Sequence, residues 1–293
     1  MTISAKVIAD SISAEPANIR LTTLQLRYPK FIHGEFLTHR VFSRNSSSSR
    51  AIPVERLIKD VIDDPVIPMH WGKNQPGMQA HEECSSPIQS FPYSRYSVSM
   101  TREVAWDMAC EKAVSAARAF VKAGYHKQII NRLIEPFCHI NTVVTATEWT
   151  NFFALRCHPD AQPEMRALAD AIFLAMANNM PRLLQPGEYH LPYVQMMSGD
   201  ASDETMIKLS VARCARVSYL TQDGKIPNIE DDLKLYDRLV GSVPLHASPA
   251  EHQATPDKTN YPGHRSGLWQ NPHLHGNFRG WVQFRKTLPG ENQ

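Results

Sequence analysis

The sequence predicts a mixed α/β (α+β) chain, a sheet with long packed helices, from three observations. Two neighbouring N-terminal stretches alternate apolar and polar residues. Three long stretches in the middle repeat apolar residues at helical spacing. Past residue 200, strand-like and helix-like patterns start again. The first two stretches, "AKVIADSI" and "NIRLTTLQLRYP", read as strands, and the turn formers of "SAEPAN" lie between them. A helix is expected to open at Pro29, to bury Phe31, Ile32, Phe36 and Leu37, and to end near His39 and Arg40. The serine-heavy run "THRVFSRNSSSSR" follows, legible either as a flexible linker or as a loop that holds phosphate.

Residues 60–100, rich in Pro, Gly, Gln and Ser, read as an elaborated loop or lid, with Trp71, Met78 and Phe91 as its apolar anchors. Three helices are expected next. One covers residues 102–124 and closes on Gly124 in the left-handed conformation. A second runs over 126–134 and stops before Pro136. A third runs over 160–180, with Asp160 as its N-cap, and stops before Pro181. Beyond "LPYVQMMSGDASDET", the stretch "IKLSVARCARVSYL" reads as a strand leading into a functional turn, and "IEDDLKLYDRLVG" as a capped amphipathic helix. These patterns divide the chain into a core over 1–200 and a C-terminal segment over 201–293.

Composition sets bounds on function. With 42% hydrophobic and 20% charged residues, the chain reads as an ordinary soluble protein, and a net charge of +2 gives no broad basic surface for nucleic acid. Any anion site is therefore local. The N-terminus lacks a secretory pattern, and no apolar run reaches the length of a membrane span. The five cysteines are scattered without a C-x-x-C pair, which points to a reduced, cytoplasmic setting. The pairs Cys138/His139 and Cys157/His158 fit no zinc template, and His246, His252, His264, His273 and His275 read as loop residues, so no metal is expected.

Ser, Asn and Arg between residues 43 and 50 suit a phosphate. Hydroxyls and backbone N–H groups donate to its oxygens, and the Arg50 guanidinium can hold two of them. Two further stretches turn this into a specific resemblance. Thr38-His39-Arg40, seven residues, then Ser48 resembles the Arg-His-Arg…Ser motif of flavin-dependent thymidylate synthases, with Ser43, Asn45 and Arg50 in place. "NFFALRCHPDAQPE" is similar to that family's second signature at Asn151, Leu155, Arg156, Ala161, Gln162 and Glu164, and Arg132 stands four residues before a proline, as in the family. "ARVSY" and "HASPAEH" resemble the family's N-terminal motifs but come last here. The resemblance therefore implies that family's fold with a rearranged chain order, the C-terminal segment standing for the usual flavin-binding opening.

The resemblance implies C5 methylation of dUMP, with methylenetetrahydrofolate supplying the carbon, NADPH the electrons and FAD the hydride carrier. It gives Arg156 the catalytic task of stabilising charge on the pyrimidine ring. It gives the nucleotide to Glu35, Ser46, Ser48, Arg50, Arg132 and Arg156, and the flavin to His39, Arg40, Asn45, Asn151, Asp160, Ser218 and His252. Against this stand plainer readings: Arg156 as a helix-end surface arginine, Ser48 as a solvated loop serine, His252 as a turn histidine. The family's homotetramers, with sites between subunits, imply an oligomer.

Departures from the pattern open alternatives. Thr38 replaces an arginine, Ser46 an acidic residue, Asp160 a histidine and Glu35 a glutamine. A carboxylate at 35 could accept from the exocyclic amine of cytosine, which makes dCMP, or a hydroxymethyl product, an alternative. A nucleotide- or flavin-binding protein without catalysis is another. "EPFCHIN" resembles the Pro-Cys-His nucleophile of flavin-free thymidylate synthases, although Cys138 reads better as a small buried hydrophobe.

Overall fold

The computed structural model describes residues 1–14, 18–89, 98–194, 202–217, 225, 227–260 and 269–291. Its frame is a five-stranded sheet. The alternating N-terminal stretches form β1 (Ser4–Ser13) and β2 (Arg20–Pro29), which pair antiparallel with an irregularity between Val7 and Ala9. After β2 a 3-10 turn leads into the one-turn helix α1 (His33–Phe36). Ile32 and Phe36, four apart, share one face and are fully buried, whereas Phe31 and Leu37 point outward at 41% and 42% exposure. So short a helix has only one face on the sheet, and the expectation that all four would be buried fails for that reason.

Part of the serine-heavy run is neither linker nor loop. Residues Ser43–Ser46 are β3, which pairs antiparallel with β6 (His139–Ala146) at the sheet edge. Between them in the chain lie α2 (Val54–Asp63), the two-residue strands β4 (Ile88–Gln89) and β5 (Ser99–Met100), α3 (Arg102–Lys122) and α4 (Lys127–Ile130). Gly124 follows α3 at φ +83°, as expected, and Thr101 caps its start. The second predicted helix divides into α4 and a 3-10 stretch over Asn131–Phe137 that contains Pro136. Of the anchors expected in residues 60–100, Trp71 packs edge-on against Trp106 with Arg102 over its ring. Met78, by contrast, is wholly exposed, and Phe91 lies outside the described residues.

Past β6 come α5 (Thr150–Arg156), α6 (Pro163–Ala177), β7 (Arg182–Leu184), α7 (Asp203–Arg216), α8 (Ile229–Val240), β8 (Ala254–Pro256) and β9 (Trp281–Gln283). The sheet order is β3-β6-β2-β1-β7, with only β1/β7 parallel. One face, through Leu24, Leu26, Tyr28 and Val144, packs on Met165, Leu168 and Ile172 of α6 and on the aromatic cluster of α5. The other face meets Tyr193 and α7. α2, α3 and the 131–137 stretch share a second apolar core.

Two boundaries differ from expectation. Asp160 is no N-cap: α6 starts at Pro163, whose fixed φ suits the first helical position, after Gln162. The described part of "IKLSVARCARVSYL" is not a strand: residues 207–216 are the body of α7, Val217 is its C-cap, and the rest lies outside the described residues. Ser202 caps the helix, Asp203 and Glu204 stand in its first turn and Arg213 and Arg216 in its last, and the buried Ile207, Ser210, Val211 and Cys214 follow helical spacing. β-branched residues outweighed this periodicity in the sequence reading. The C-terminal tail returns to the sheet, where Trp281, fully buried, donates its indole N–H to the Ile19 carbonyl.

Candidate functional site

β3 and the loops at its two ends organise the site. Before β3, the turn over residues 37–42 is held by Arg44, whose Nη1 donates to the carbonyls of Phe36, Leu37 and His39 at 3.0–3.3 Å. The sequence reading did not single out Arg44, whose alternating position in a strand only the β3–β6 pairing defines. Against this turn lies α5. Trp149, Phe152 and Arg156, spaced three and four apart, project from one side of it. Phe152 meets the His39 ring edge-on at 4.9 Å, and Phe42 stacks on the same ring at 5.8 Å and packs at a tilt on Trp149 at 4.6 Å.

Arg156 reaches over this cluster. Its Nε donates to His39 Nε2 at 3.0 Å, its Nη2 lies 3.5 Å from Thr38 Oγ1, and its Nη1 lies 3.5 Å from a Glu35 carboxylate oxygen. Three sequence-predicted residues, Glu35, His39 and Arg156, therefore meet, with Thr38 as the fourth. The Arg156 side chain keeps 21% of its surface and Glu35 43%, so both present polar groups to solvent. Burial, then the nearby Arg156 and Arg44 cations, lower the basicity of His39.

After β3, the loop carrying Ser48 and Arg50 is tied from behind. Asn131, buried just before Arg132, donates from Nδ2 to the carbonyls of Ser49 (2.6 Å) and Ile52 (3.0 Å), and Lys127 donates to the Ala51 carbonyl. The Glu135 carboxylate accepts from Ser49 Oγ and pairs with Lys30. Ser48, Arg50 and Arg132 are exposed, so the loop and the turn bearing Arg132 are brought together with their polar groups accessible. Lys30, Asn131 and Glu135, which do this anchoring, gave no motif signal. Ser46, mid-way, bonds Thr142 Oγ1 at 2.8 Å and faces inward rather than toward a ligand.

The residues given to the flavin scatter. Arg40 and Asn151 are exposed, Asn45 is half-buried opposite Val143, and Asp160 sits on an exposed loop beside His158. Ser218 lies outside the described residues. His252 is fully buried. Its Nδ1 bonds Thr145 Oγ1 at 2.8 Å, the Thr145 and Thr23 hydroxyls bond at 2.6 Å, Thr23 meets His190 Nε2 at 2.7 Å, and His190 Nδ1 meets Ser11 at 2.8 Å. Among the described residues His252 Nε2 has no hydrogen-bond partner. This chain of five side chains across the second sheet face is not a solvent-facing contact, and the sequence reading found only one of its members. As a donor set for a flavin, Arg40 and Asn151 fit an anionic diphosphate and an amide-rich ring, whereas His252 is shut off from ligand in this chain.

One other sequence reading resolves. Cys138 is buried, its thiol donates to the Ile134 carbonyl at 3.1 Å, and burial pushes its pKa up to about 12, so it is no thiolate nucleophile. Among the described residues no group of three or more His, Cys, Asp or Glu side chains is arranged to hold a metal, and no helix is long and apolar enough to cross a membrane. All five cysteines are free.

A search of curated protein sequences finds no match. Two solved structures of the UMP/dUMP methylase PolB from Streptomyces cacaoi are similar to this chain. The one bound with 5-Br dUMP is 16% identical, covers 60% of this chain and 90% of its own, and has a TM-score of 0.41. The one bound with 5-Br UMP is 15% identical, covers 60% and 89%, and has a TM-score of 0.43. The family model described as thymidylate synthase complementing protein, Thy1, matches residues 8–182, a span that runs from within β1 to the first residue of β7 and includes β3 with its two flanking loops and α5. By that match, over more than half its length, the chain belongs to the Thy1 family, the flavin-dependent thymidylate synthases whose motifs its sequence carries.

Proposed function

We propose that this protein is an FAD-dependent methyltransferase of the thymidylate synthase type, methylating dUMP at C5 with methylenetetrahydrofolate as carbon donor and NADPH as reductant. The observation that carries the reading is the arrangement about β3. Arg156, with Thr38, His39 and Glu35, stands at one end, and the exposed Ser48 and Arg50 beside the Arg132 turn stand at the other. Four strand residues span about 13 Å, the scale of a nucleoside monophosphate. Arg156 faces the ring and stabilises the negative charge that builds on it, and hydroxyl and guanidinium groups at the far end hold the phosphate.

FAD, when bound, carries hydride from NADPH to the transferred carbon, with Arg40, Asn45 and Asn151 as the accessible residues that would hold it. Asp160 is exposed too and Ser218 lies outside the described residues, whereas the buried His39 and His252 complete the flavin assignment only if a second subunit or a different local conformation opens them. That fits a homotetramer with shared sites in the cytoplasm, where nucleotide and folate are partners.

A second reading has one specific support. Glu35 stands beside Arg156, and a carboxylate next to a guanidinium can accept from the amine of cytosine while the guanidinium donates to its N3 and O2. The test offers dUMP and dCMP separately, with methylenetetrahydrofolate and NADPH, and weighs the product. Methyl transfer to dUMP by a yellow, FAD-containing protein is expected. A protein that stays colourless after FAD is added overturns the proposal. Transfer to dCMP, reversed toward dUMP by Glu35→Gln, establishes the second reading instead.

A further inference from the structure

We infer that His39 is a positioning residue for Arg156: a neutral imidazole whose Nε2 lone pair holds the guanidinium in the orientation that presents its two terminal nitrogens outward. This rests on the proposed role of Arg156, but the geometry stands without it. An arginine can only donate, so at 3.0 Å from Arg156 Nε the His39 Nε2 must be the acceptor, and the ring proton must sit on Nδ1. The ring itself cannot turn freely. Phe42 stacks on it and Phe152 meets it edge-on, and Phe152 precedes Arg156 by four residues on the same side of α5. The backbone beneath it is fixed too, because Arg44 donates to the His39 carbonyl at 3.0 Å.

The resemblance gives this histidine to the flavin. The contacts give it a different task. Its ring is buried among aromatic side chains, and its Nε2 is committed to Arg156. Fixing Nε leaves the Nη1/Nη2 edge of the guanidinium, flanked by Glu35 and Thr38, to meet a ligand. The charged groups that face the ring are Arg156 and Arg44, both cations, with Glu35 beyond Arg156. Together with burial they keep the ring neutral near pH 7. When pH falls far enough to protonate Nε2, the acceptor is lost and the imidazolium repels Arg156.

The test compares wild type with His39→Phe, His39→Ala and His39→Gln. Phe keeps the aromatic packing and removes the acceptor, and Gln returns an acceptor oxygen. For Phe and Ala, kcat is expected to fall on the order of 10²-fold with the nucleotide KM changed less than about threefold. Gln is expected to recover most of kcat and to lack the acid limb expected of wild type in its kcat/KM profile. Independently of turnover, nitrogen NMR of ligand-free wild type is expected to show an Nδ1-protonated ring, and Arg156→Ala to release that tautomer preference. Folded His39→Phe with kcat within threefold of wild type, or an Nε2-protonated ring in the ligand-free protein, overturns the inference. Absence of any turnover in wild type with the Nδ1 tautomer present would count against the proposed reaction alone.

Discussion

Arg156 is where residue-scale chemistry is concentrated, and its neighbours set what a substitution does. Arg156→Lys keeps the charge but loses the planar fork: one ammonium cannot bond His39 and present two outward donors together. A fall in kcat on the order of 10²- to 10³-fold is expected for both Arg156→Lys and Arg156→Ala, the loss typical of one preorganised donor at developing charge. Steady-state kinetics with dUMP checks this, and a lysine variant within tenfold of wild type would show that charge alone suffices. The residue types of this cluster were legible in the sequence, since His39, Glu35 and Arg156 all stood in motifs. Arg44 and Asn131 were not, because both act through backbone carbonyls of loops whose shape no local pattern specifies.

Among the elements, α7 tests the logic most directly. Its last turn carries Arg213 and Arg216, and both pair with Asp232 of α8, whose side chain is fully buried. One carboxylate thus joins two helices that also pack through Ile207, Val211, Tyr236 and Val240. Removing its charge leaves two guanidiniums without their buried counter-ion. Asp232→Asn is expected to destabilise the protein by about 3–5 kcal/mol, read as a lower urea midpoint; a loss under about 1 kcal/mol would mean that solvent reaches the pair. The sequence showed the acidic start and basic end of α7, but the run between them read as a strand. Helix or strand at such a run is decided by which face finds a partner, and that partner is on α8.

For the whole molecule, the C-terminal segment is joined to the N-terminal sheet by buried polar groups. His252 from the tail, His190 from the 185–194 connection, and Thr23 and Thr145 from adjacent strands form one hydrogen-bonded chain. Burial lowers the pKa of both imidazoles from 6.5 to about 3. A histidine with a depressed folded pKa binds protons more weakly than the unfolded chain. Its contribution is therefore complete above pH 6.5 and is lost as pH falls from 6.5 toward 3, by about 1.4 kcal/mol per pH unit for each ring. Urea unfolding at pH 7.5 and 4.5 is expected to show a steep loss of stability in acid, and His252→Gln a shallower one. Equal pH slopes for the two proteins would place His252 in contact with water.

The sequence by itself determined the strand pair β1/β2, the capped α3 and α8, and the family, because each depends on local periodicity, capping or a run of motif residues. Tertiary structure alone decided that Ser43–Ser46 of the serine-rich run is an edge strand, that residues 207–216 are helical, and that His252 is buried. Pairing with β6, packing on α8 and closure over the sheet bring together residues more than ninety positions apart in the first case and about twenty in the second. Hydrogen-bond partners and buried faces at such separations leave no periodic trace in the chain, and only folding supplies them.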